Sequence, residues 1–285
     1  MKKVKVSVLM VSYNHSKYIE ACLHSVFKQK DECISIEMII IDDGSDDGTC
    51  EIIENIILKF KYNIKFKRDV HKGVEFLNKR MAECISIATG DYIAFIASDD
   101  GFLKDRLSCH LSIMSKNKNI FVCYSPGINI RSDQRKTKAI GKKTEKILLS
   151  NNIKKVLYYL KNNIPELYLQ GMTAQTNFIK ENLKIDTKVL ADDWQYNILI
   201  FEALDKLHGE YTYIDFPAFY RNIHETNTSK NFPIHYKRIS EMADIYSEYP
   251  LYLRVRYLLV SIIVAIKNIR IGELLQIIKI LIKNK

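Results

Sequence analysis

Acidic residues directly follow two of the most apolar segments of the chain. The apolar segments are residues 34–41 and 92–97, and the polar residues after them are Asp42-Asp43 and Ser98-Asp99-Asp100. Carboxylates held close together repel one another unless a cation, a hydrogen-bonding ligand or water lies between them. A divalent metal bound by one or two carboxylates and by substrate phosphates is one chemistry that this pattern favours. Each pair alone also fits a plain turn with helix-capping aspartates.

The segments that precede these residues read as buried strands. Residues 4–13 and 34–41 are nearly continuous in apolar residues, as strands covered on both faces are. Apolar residues then recur at helical spacing, for example at Ile19, Leu23 and Val26. This alternation predicts an α/β fold with a mostly parallel sheet flanked by helices. Because ligands gather at the carboxyl ends of such strands, we expect the acidic residues to line one site.

The later segments carry weaker patterns. Residues 131–146 hold seven basic and two acidic residues without an apolar period, which predicts an exposed, mobile loop. Residues 147–161 predict a single helix. Residues 193–207 predict another, with Asp192 or Asp193 near its N-cap.

The composition is that of a globular protein in a reducing compartment. Of the 285 residues, 47% are hydrophobic and 27% are charged, which excludes collagen-like and wholly disordered chains. The six cysteines have no zinc-site spacing, so we expect free thiols. No apolar run reaches the roughly 18 residues of a membrane-spanning helix, and the first residues lack signal-peptide features. A cytoplasmic location is therefore expected.

The net charge of +10 predicts an anionic partner. Part of the excess lies in residues 251–285, where seven Lys or Arg and one Glu accompany abundant Leu and Ile. This segment predicts two amphipathic helices that bind an anionic membrane surface, although packing on the catalytic domain or on a dimer partner stays open. Nucleic acid is not expected as a partner, because neither a recognition helix nor aromatic stacking strips are present.

Six motifs occur in a fixed order over about the first 230 residues. They are residues 6–14 (VSVLMVSYN), 39–49 (IIIDDGSDDGT), 88–95 (ATGDYIAF), 97–100 (ASDD), 191–194 (ADDW) and 220–229 (YRNIHETNTS). A single DD or DXD is weak evidence, but the ordered set resembles the inverting glycosyltransferases of family 2, which are built on the GT-A fold.

The resemblance implies roles for the residues that match the family motifs. Tyr13 and Val11 would flank the nucleotide base, and Asp43 would accept a hydrogen bond from the imide of uracil or thymine. Ser98 would also contact the nucleotide. The residues implied to hold a Mn or Mg cation against the donor diphosphate are Asp99, Asp100 and His224.

The implied catalytic base is Asp193, with Asp192 as the alternative. It would take the proton of the acceptor hydroxyl, and one in-line displacement would invert the anomeric centre. The donor would be a UDP-sugar, with a dTDP-sugar as the second choice. The acceptor would be a saccharide or a lipid-linked saccharide, at the cytosolic face of a bacterial inner membrane, in the synthesis of a surface polysaccharide.

The chain departs from the family pattern at one metal-site position. Ala97 stands where relatives commonly have Asp, so the site has one carboxylate fewer. A degenerate scaffold that binds nucleotide-sugar without turnover therefore stays open. Two further functions fit less of the chain: a sugar-phosphate nucleotidyltransferase lacks its Gly-rich loop here, and a receiver domain leaves Asp99, Asp100 and Asp193 unexplained.

The resemblance also divides the chain into domains. Residues 1–240 would form the GT-A domain, with a nucleotide-sugar-binding half at 1–100 and an acceptor half at 101–240. Residues 241–285 would form the basic helical tail, through which a homodimer could also form.

Overall fold

The computed structural model describes residues 3–190, 192–225, 227, 231–267 and 271–283, apart from the side chains of residues 192, 281 and 283. The strands are β1 (Val4–Ser12), β2 (Ile34–Asp42), β3 (Ile64–Arg68), β4 (Tyr92–Phe95), β5 (Gly101–Phe102), β6 (Ile120–Tyr124), β7 (Gly127–Arg131), β8 (Lys136–Ala139), β9 (Met172–Gln175), β10 (Glu210–Tyr213) and β11 (Phe219–Ile223). The helices are α1 (Ile19–Phe27), α2 (Thr49–Phe60), α3 (Leu77–Ile87), α4 (Arg106–Met114), α5 (Lys142–Leu148), α6 (Ile153–Asn162), α7 (Thr176–Asn182), α8 (Asp192–Leu207), α9 (Phe232–Tyr246), α10 (Pro250–Lys267) and α11 (Ile271–Lys283).

Within the described residues, seven strands form one sheet in the order β10-β6-β9-β4-β1-β2-β3. Every strand of this sheet is parallel to β1 except β9, which pairs antiparallel with both β4 and β6. The predicted α/β fold with a mostly parallel sheet and flanking helices is confirmed. A smaller sheet in the order β5-β11-β7-β8 lies beside it.

The apolar runs of the sequence are the centre of the main sheet. Val8, Leu9 and Met10 of β1 and Ile39 and Ile40 of β2 are fully buried. Both faces of these strands are covered, with Leu9 in one core cluster and Val8 in the other. Because both faces exclude water, the apolar residues do not alternate with polar ones.

The strand order has a switch point beside β1. The chain moves from β1 to β2 and β3 on one side, and then places β4 on the other side of β1. At such a point the loops that follow the two neighbouring strands diverge and leave a crevice for a ligand. The loops after β1 and β4 contain four of the predicted site residues, which are Tyr13, Ser98, Asp99 and Asp100.

The prediction of a mobile loop at residues 131–146 is wrong. The segment holds the end of β7, all of β8 and the start of α5. Lys138 pairs with Glu145 and with Asp215, and Tyr213 donates its hydroxyl to Glu145 at 2.7 Å. Asp215 and Tyr213 are distant from this segment in sequence, so a local charge count could not show their contacts.

The single helix predicted at residues 147–161 is two helices. α5 ends at Leu148 and α6 begins at Ile153. Asn151 between them has a positive φ of 48°, a backbone conformation that breaks a helix. The side chain of Asn152 then caps α6 by accepting from the N–H of Lys155 at 2.9 Å.

The two helices predicted after residue 250 are confirmed as α10 and α11. α10 packs against α9, where the Tyr257 ring stacks on Phe232 with centroids 5.7 Å apart. α9 runs through residue 240, the position of the predicted boundary between domain and tail. Among the residues that the structure describes, no helix is both long and apolar enough to cross a membrane.

Candidate active site

The carboxyl ends of β1 and β4 meet at the switch point through a histidine and a serine. The Nδ1 atom of His15, just after β1, lies 2.7 Å from Oγ of the buried Ser98, which follows β4. The Ser98 hydroxyl also reaches the carbonyl oxygen of Val11 at 3.5 Å. Val11 and Ser98, both predicted to contact the nucleotide, therefore lie together at this crevice.

Asp42 shapes the loop after β2. Its carboxylate accepts hydrogen bonds from the Ser12 hydroxyl and from the N–H and hydroxyl of Ser45, each at 2.7 Å. Gly44 follows with a φ of +73°, and a Cβ there would lie 2.5 Å from the backbone nitrogen of His71. Asp42 is therefore fully engaged in holding a turn that needs glycine.

Asp43 faces a different environment from its neighbour. It is 6% exposed, and its carboxylate accepts from the N–H groups of Lys72 at 2.9 Å and Gly73 at 3.0 Å. The Arg80 guanidinium, itself buried, pairs with it directly. These donors fix the carboxylate in place as a hydrogen-bond acceptor.

Tyr13 is linked to Asp43 through the ring of His71. Its ring stacks on His71 with centroids 4.2 Å apart and an angle of 18° between the planes. The Nδ1 atom of His71 lies 3.2 Å from the Asp43 carboxylate. An aromatic face beside a carboxylate acceptor is what a planar base with an N–H group requires.

The two carboxylates of the second acidic pair, Asp99 and Asp100, also have different partners. Asp99 faces two imidazoles: the Nε2 atoms of His224 and His15 lie 3.0 Å and 4.0 Å from its Oδ2. Asn227 adds an amide 3.1 Å from the same carboxylate oxygen. Asp100 instead accepts from the backbone N–H of Asn222 at 3.0 Å and from the Gln170 amide at 3.1 Å.

The electrostatics separate the two carboxylates further. Burial opposes ionisation of Asp99, but the hydrogen bond from His224 and the charge of His15 outweigh it, so the pKa of Asp99 is lowered. Burial and the neighbouring Asp99 charge raise the pKa of Asp100 well above its usual value. Burial also lowers the pKa of His15.

A divalent cation fits the donor set around Asp99. The nearest ligand atoms of His15, Asp99 and His224 all lie within 4.8 Å of one another. Two imidazole nitrogens and one carboxylate oxygen are ligands that Mn²⁺ and similar ions accept. Asp100 does not belong to this cluster, because both of its oxygens point to Asn222 and Gln170.

Asp193 lies at the start of α8, as predicted for the catalytic base. Its Oδ1 accepts from the N–H of Leu169 at 3.0 Å. The next residue, Gln170, contacts Asp100, so a short segment links the Asp193 carboxylate to the acidic pair. The alternative, Asp192, is the first residue of α8, and its side chain lies outside the described part.

Several site residues were not found from the sequence. His15, His71, Arg80, Gln170 and Asn227 all contact a predicted site residue. His15 and Asn227 lie inside the quoted motifs or beside them, two and three residues from Tyr13 and His224, and that closeness was the available signal. His71 and Arg80 lie in segments without a motif.

A match to a sequence profile identifies the family of this protein. The profile of glycosyl transferase family 2 matches residues 7–183, which is more than half of the chain. The chain belongs to this family. The match covers most of β1 and extends through α7, and therefore includes Tyr13, Asp43, Asp99 and Asp100.

Curated relatives of this family 2 protein are bacterial. Abequosyltransferase RfbV of Salmonella typhimurium is 29% identical over 119 residues, 41% of this chain and 35% of its own length. The putative teichuronic acid biosynthesis glycosyltransferase TuaG of Bacillus subtilis is 34% identical over 120 residues, 42% of this chain and 45% of its own length. The chain thus matches less than half of the length of each.

Solved structures show the same GT-A fold. S. aureus TarS residues 1–349, in complex with UDP-GlcNAc, has a TM-score of 0.62 at 20% identity, covering 87% of this chain and 69% of that one. The mannosyltransferase PcManGT of Pyrobaculum calidifontis, in complex with GDP-Man and Mn²⁺, has a TM-score of 0.56 at 13% identity, covering 85% of this chain and 63% of that one.

Proposed function

We propose that this protein transfers a sugar from a UDP-sugar to a saccharide or lipid-linked saccharide, with inversion, in the synthesis of a bacterial surface polysaccharide. The observation that carries the proposal is the crevice at the switch point, where His15 and Asp99, which follow β1 and β4, meet His224, which follows β11. The UDP-GlcNAc complex of TarS and the naming of TuaG for teichuronic acid biosynthesis support the donor and the pathway class.

Tyr13 and Asp43 hold the base. A base that stacks on Tyr13 presents its imide N–H to Asp43, whose carboxylate accepts hydrogen bonds and donates none. Uracil and thymine have this N–H, so the pair favours UDP and, as the second choice, dTDP. Cytosine lacks a donor at that ring position and leaves the Asp43 carboxylate without a partner from the base.

Asp99 and His224 hold the diphosphate end through a divalent cation, with Mn²⁺ or Mg²⁺ as the candidates. When bound, the cation offsets the negative charge that grows on the departing nucleoside diphosphate. The side chains of Asp99, His15 and His224 are 11%, 23% and 15% exposed, so the ligands are mostly shielded from water. Shielding strengthens the attraction between the site and the diphosphate.

Asp193 takes the proton of the attacking hydroxyl. The N–H of Leu169 fixes one carboxylate oxygen, which orients the group as a base toward the acceptor. Attack from the face opposite the diphosphate inverts the anomeric carbon in one step. Arg221, whose guanidinium lies 4.1 Å from the Tyr168 ring centroid, adds positive charge near this end of the site.

α10 and α11 attach the protein to the cytosolic face of an anionic membrane in this proposal. Leu259, Ile263 and Ile266 of α10 and Leu275 and Ile278 of α11 are each about half exposed or more. Lys267 and Lys279 accompany this apolar surface. Exposed apolar side chains flanked by lysine match the boundary between lipid headgroups and acyl chains.

The test is transfer with a panel of nucleotide-sugars, measured by release of the nucleoside diphosphate. We expect release with one or more UDP-sugars. Asp193→Asn should lower kcat by about 10²–10⁴, the usual contribution of a general base, while UDP affinity stays unchanged. Asp205→Asn, at the other end of α8, is the matched control and should leave kcat unchanged.

Two results would contradict the proposal. Binding of UDP-sugars without turnover under any metal condition would indicate the degenerate scaffold. Retention of the anomeric configuration in the product, read by NMR, would exclude the single displacement with Asp193 as base.

A further inference from the structure

The cation site lacks a carboxylate at Ala97, but an imidazole that follows another strand faces the remaining ligand atoms. His15 follows β1, whereas Asp99 follows β4 and His224 follows β11. We infer that His15 is the third ligand of the cation, so that the site has two imidazoles and one carboxylate and selects Mn²⁺ over Mg²⁺. The role of this cation in sugar transfer rests on the proposed function, whereas its binding at the site does not.

The distances suit this ligand set. The Nε2 atom of His15 lies 4.0 Å from Oδ2 of Asp99, and the three ligand atoms lie within 4.8 Å of one another. Ligand atoms bound at about 2.1 Å from one metal ion lie roughly 3 Å apart. Asp99 and His224 already have this spacing at 3.0 Å, so a shift of the His15 ring by about 1–2 Å would complete the set.

Ser98 orients the His15 ring as a metal ligand requires. The Nδ1 atom of His15 lies 2.7 Å from the Ser98 Oγ, and Ser98 can donate its own proton to the Val11 carbonyl. His15 therefore donates from Nδ1 and keeps the lone pair on Nε2, which faces Asp99. Histidines that bind metals commonly donate their other ring N–H to an oxygen in this way.

The ligand types determine which ion is preferred. Mg²⁺ prefers oxygen ligands at 2.0–2.1 Å in a near-ideal octahedron and keeps much of its water. Imidazole nitrogens suit Mn²⁺ and the later divalent transition metals better than they suit Mg²⁺. Replacing a carboxylate with His15 therefore moves the preference of the site away from Mg²⁺.

The experiment titrates Mn²⁺ into the full chain with and without UDP and follows free Mn²⁺ by electron paramagnetic resonance. His15→Gln should weaken Mn²⁺ binding at least about ten-fold. Losing even a group that only hydrogen-bonds to a metal ligand weakens metal binding by at least this factor. Electron spin-echo modulation should count two coordinated imidazole nitrogens in the wild type and one in His15→Gln. Equimolar Mg²⁺ should displace little Mn²⁺ from the wild type.

His24→Gln is the matched control, since His24 lies on α1 with its ring against Phe60 and Tyr62. Circular dichroism verifies that both variants fold. Equal Mn²⁺ affinity in His15→Gln and the wild type, or an unchanged nitrogen count, overturns the inference. So does a wild type that binds no Mn²⁺. Loss of Mn²⁺ binding in His15→Gln, together with a wild type that binds Mn²⁺ but transfers no sugar, supports the ligand role and contradicts only the proposed function.

Discussion

At the scale of residues, each acidic pair has one member that holds a loop and one that faces the crevice. Asp42 and Asp100 accept hydrogen bonds from neighbouring backbone and side-chain groups. Asp43 and Asp99 also accept hydrogen bonds, but each in addition contacts an imidazole, that of His71 or His224. Two adjacent carboxylates point apart, so their charges interact with different partners and their mutual repulsion is reduced.

Tyr13 provides a direct test of base binding. Tyr13→Ala should weaken UDP affinity about 5-fold to 160-fold, because base–aromatic stacking contributes about 1–3 kcal/mol. Tyr13→Phe keeps the ring and should retain affinity close to the wild type. Isothermal titration with UDP measures both, and equal affinities for the Ala and Phe variants would show that the ring does not contact the base.

The sequence could predict residues that belong to recurring motifs. Asp99 and His224 were named together, and the structure places them 3.0 Å apart. His15 was missed because its partners, Ser98 and Asp99, are more than eighty residues away in sequence. The neighbouring motif makes His15 a candidate, but residue types alone do not show which distant residues it contacts, because the order of the strands creates these contacts.

At the scale of elements, Glu37 ties the central strands to the loop before β4. It lies in the buried middle of β2 and accepts from the Ser7 hydroxyl of β1 at 2.6 Å and from the Thr89 N–H at 2.6 Å. Burial disfavours its charge, but hydrogen bonds from Lys5, Ser7 and Thr89 outweigh this and lower the pKa of Glu37 to about 2.

This carboxylate should make the fold sensitive to acid. A group whose pKa is lower in the folded than in the unfolded state stabilises the folded protein at pH values above its unfolded pKa. This contribution is lost as the pH falls toward the folded pKa. Glu37→Gln should therefore lower the free energy of unfolding by about 2 kcal/mol at pH 7, measured by urea denaturation. The difference from the wild type should shrink as pH falls from about 5 to 3.

Glu83 provides the control for that measurement. It pairs with Lys67 at the surface, where its side chain is 40% exposed. Glu83→Gln should change stability by less than about 1 kcal/mol, because exposed pairs contribute little. If the free energy of unfolding of Glu37→Gln stays below that of the wild type by the same amount at every pH, the lost stability comes from the changed shape of the side chain rather than from its lost charge.

Element boundaries show where local patterns fail. The strands β1 and β2 were predicted closely because burial on both faces leaves a continuous apolar run in the sequence. Residues 131–146 were misread because Lys138 and Glu145, counted as loop charges, form an ion pair within a strand–helix corner. Charge alone does not separate a solvated loop from a strand at the edge of a sheet.

At the scale of the molecule, the apolar surface of α10 and α11 predicts attachment to anionic lipid. Ile263→Glu with Ile266→Glu should lower binding to phosphatidylglycerol vesicles at least about ten-fold, since each change removes an apolar side chain and adds a repelled charge. Vesicle co-sedimentation measures the effect. Binding of the wild type should also fall as salt is raised.

Leu58→Glu with Leu149→Glu is the matched control, because Leu58 on α2 and Leu149 directly after α5 are both exposed and lie outside α10 and α11. This variant should bind vesicles like the wild type. If the wild type does not sediment with vesicles but is a dimer that Ile263→Glu and Ile266→Glu dissociate, the surface is an interface between two copies and the membrane proposal is wrong.

The strand order also has a consequence for the synthesis of the chain. β1 can pair with β2 early in synthesis, but its other neighbour, β4, is synthesised much later. The other edge of β4 then stays unpaired until β9 has been synthesised. A nascent chain that has not yet reached β9 leaves an apolar strand with unpaired backbone groups, which is where intermolecular pairing begins. The emergence of β9 from the ribosome is therefore the point at which the need for chaperone protection should fall.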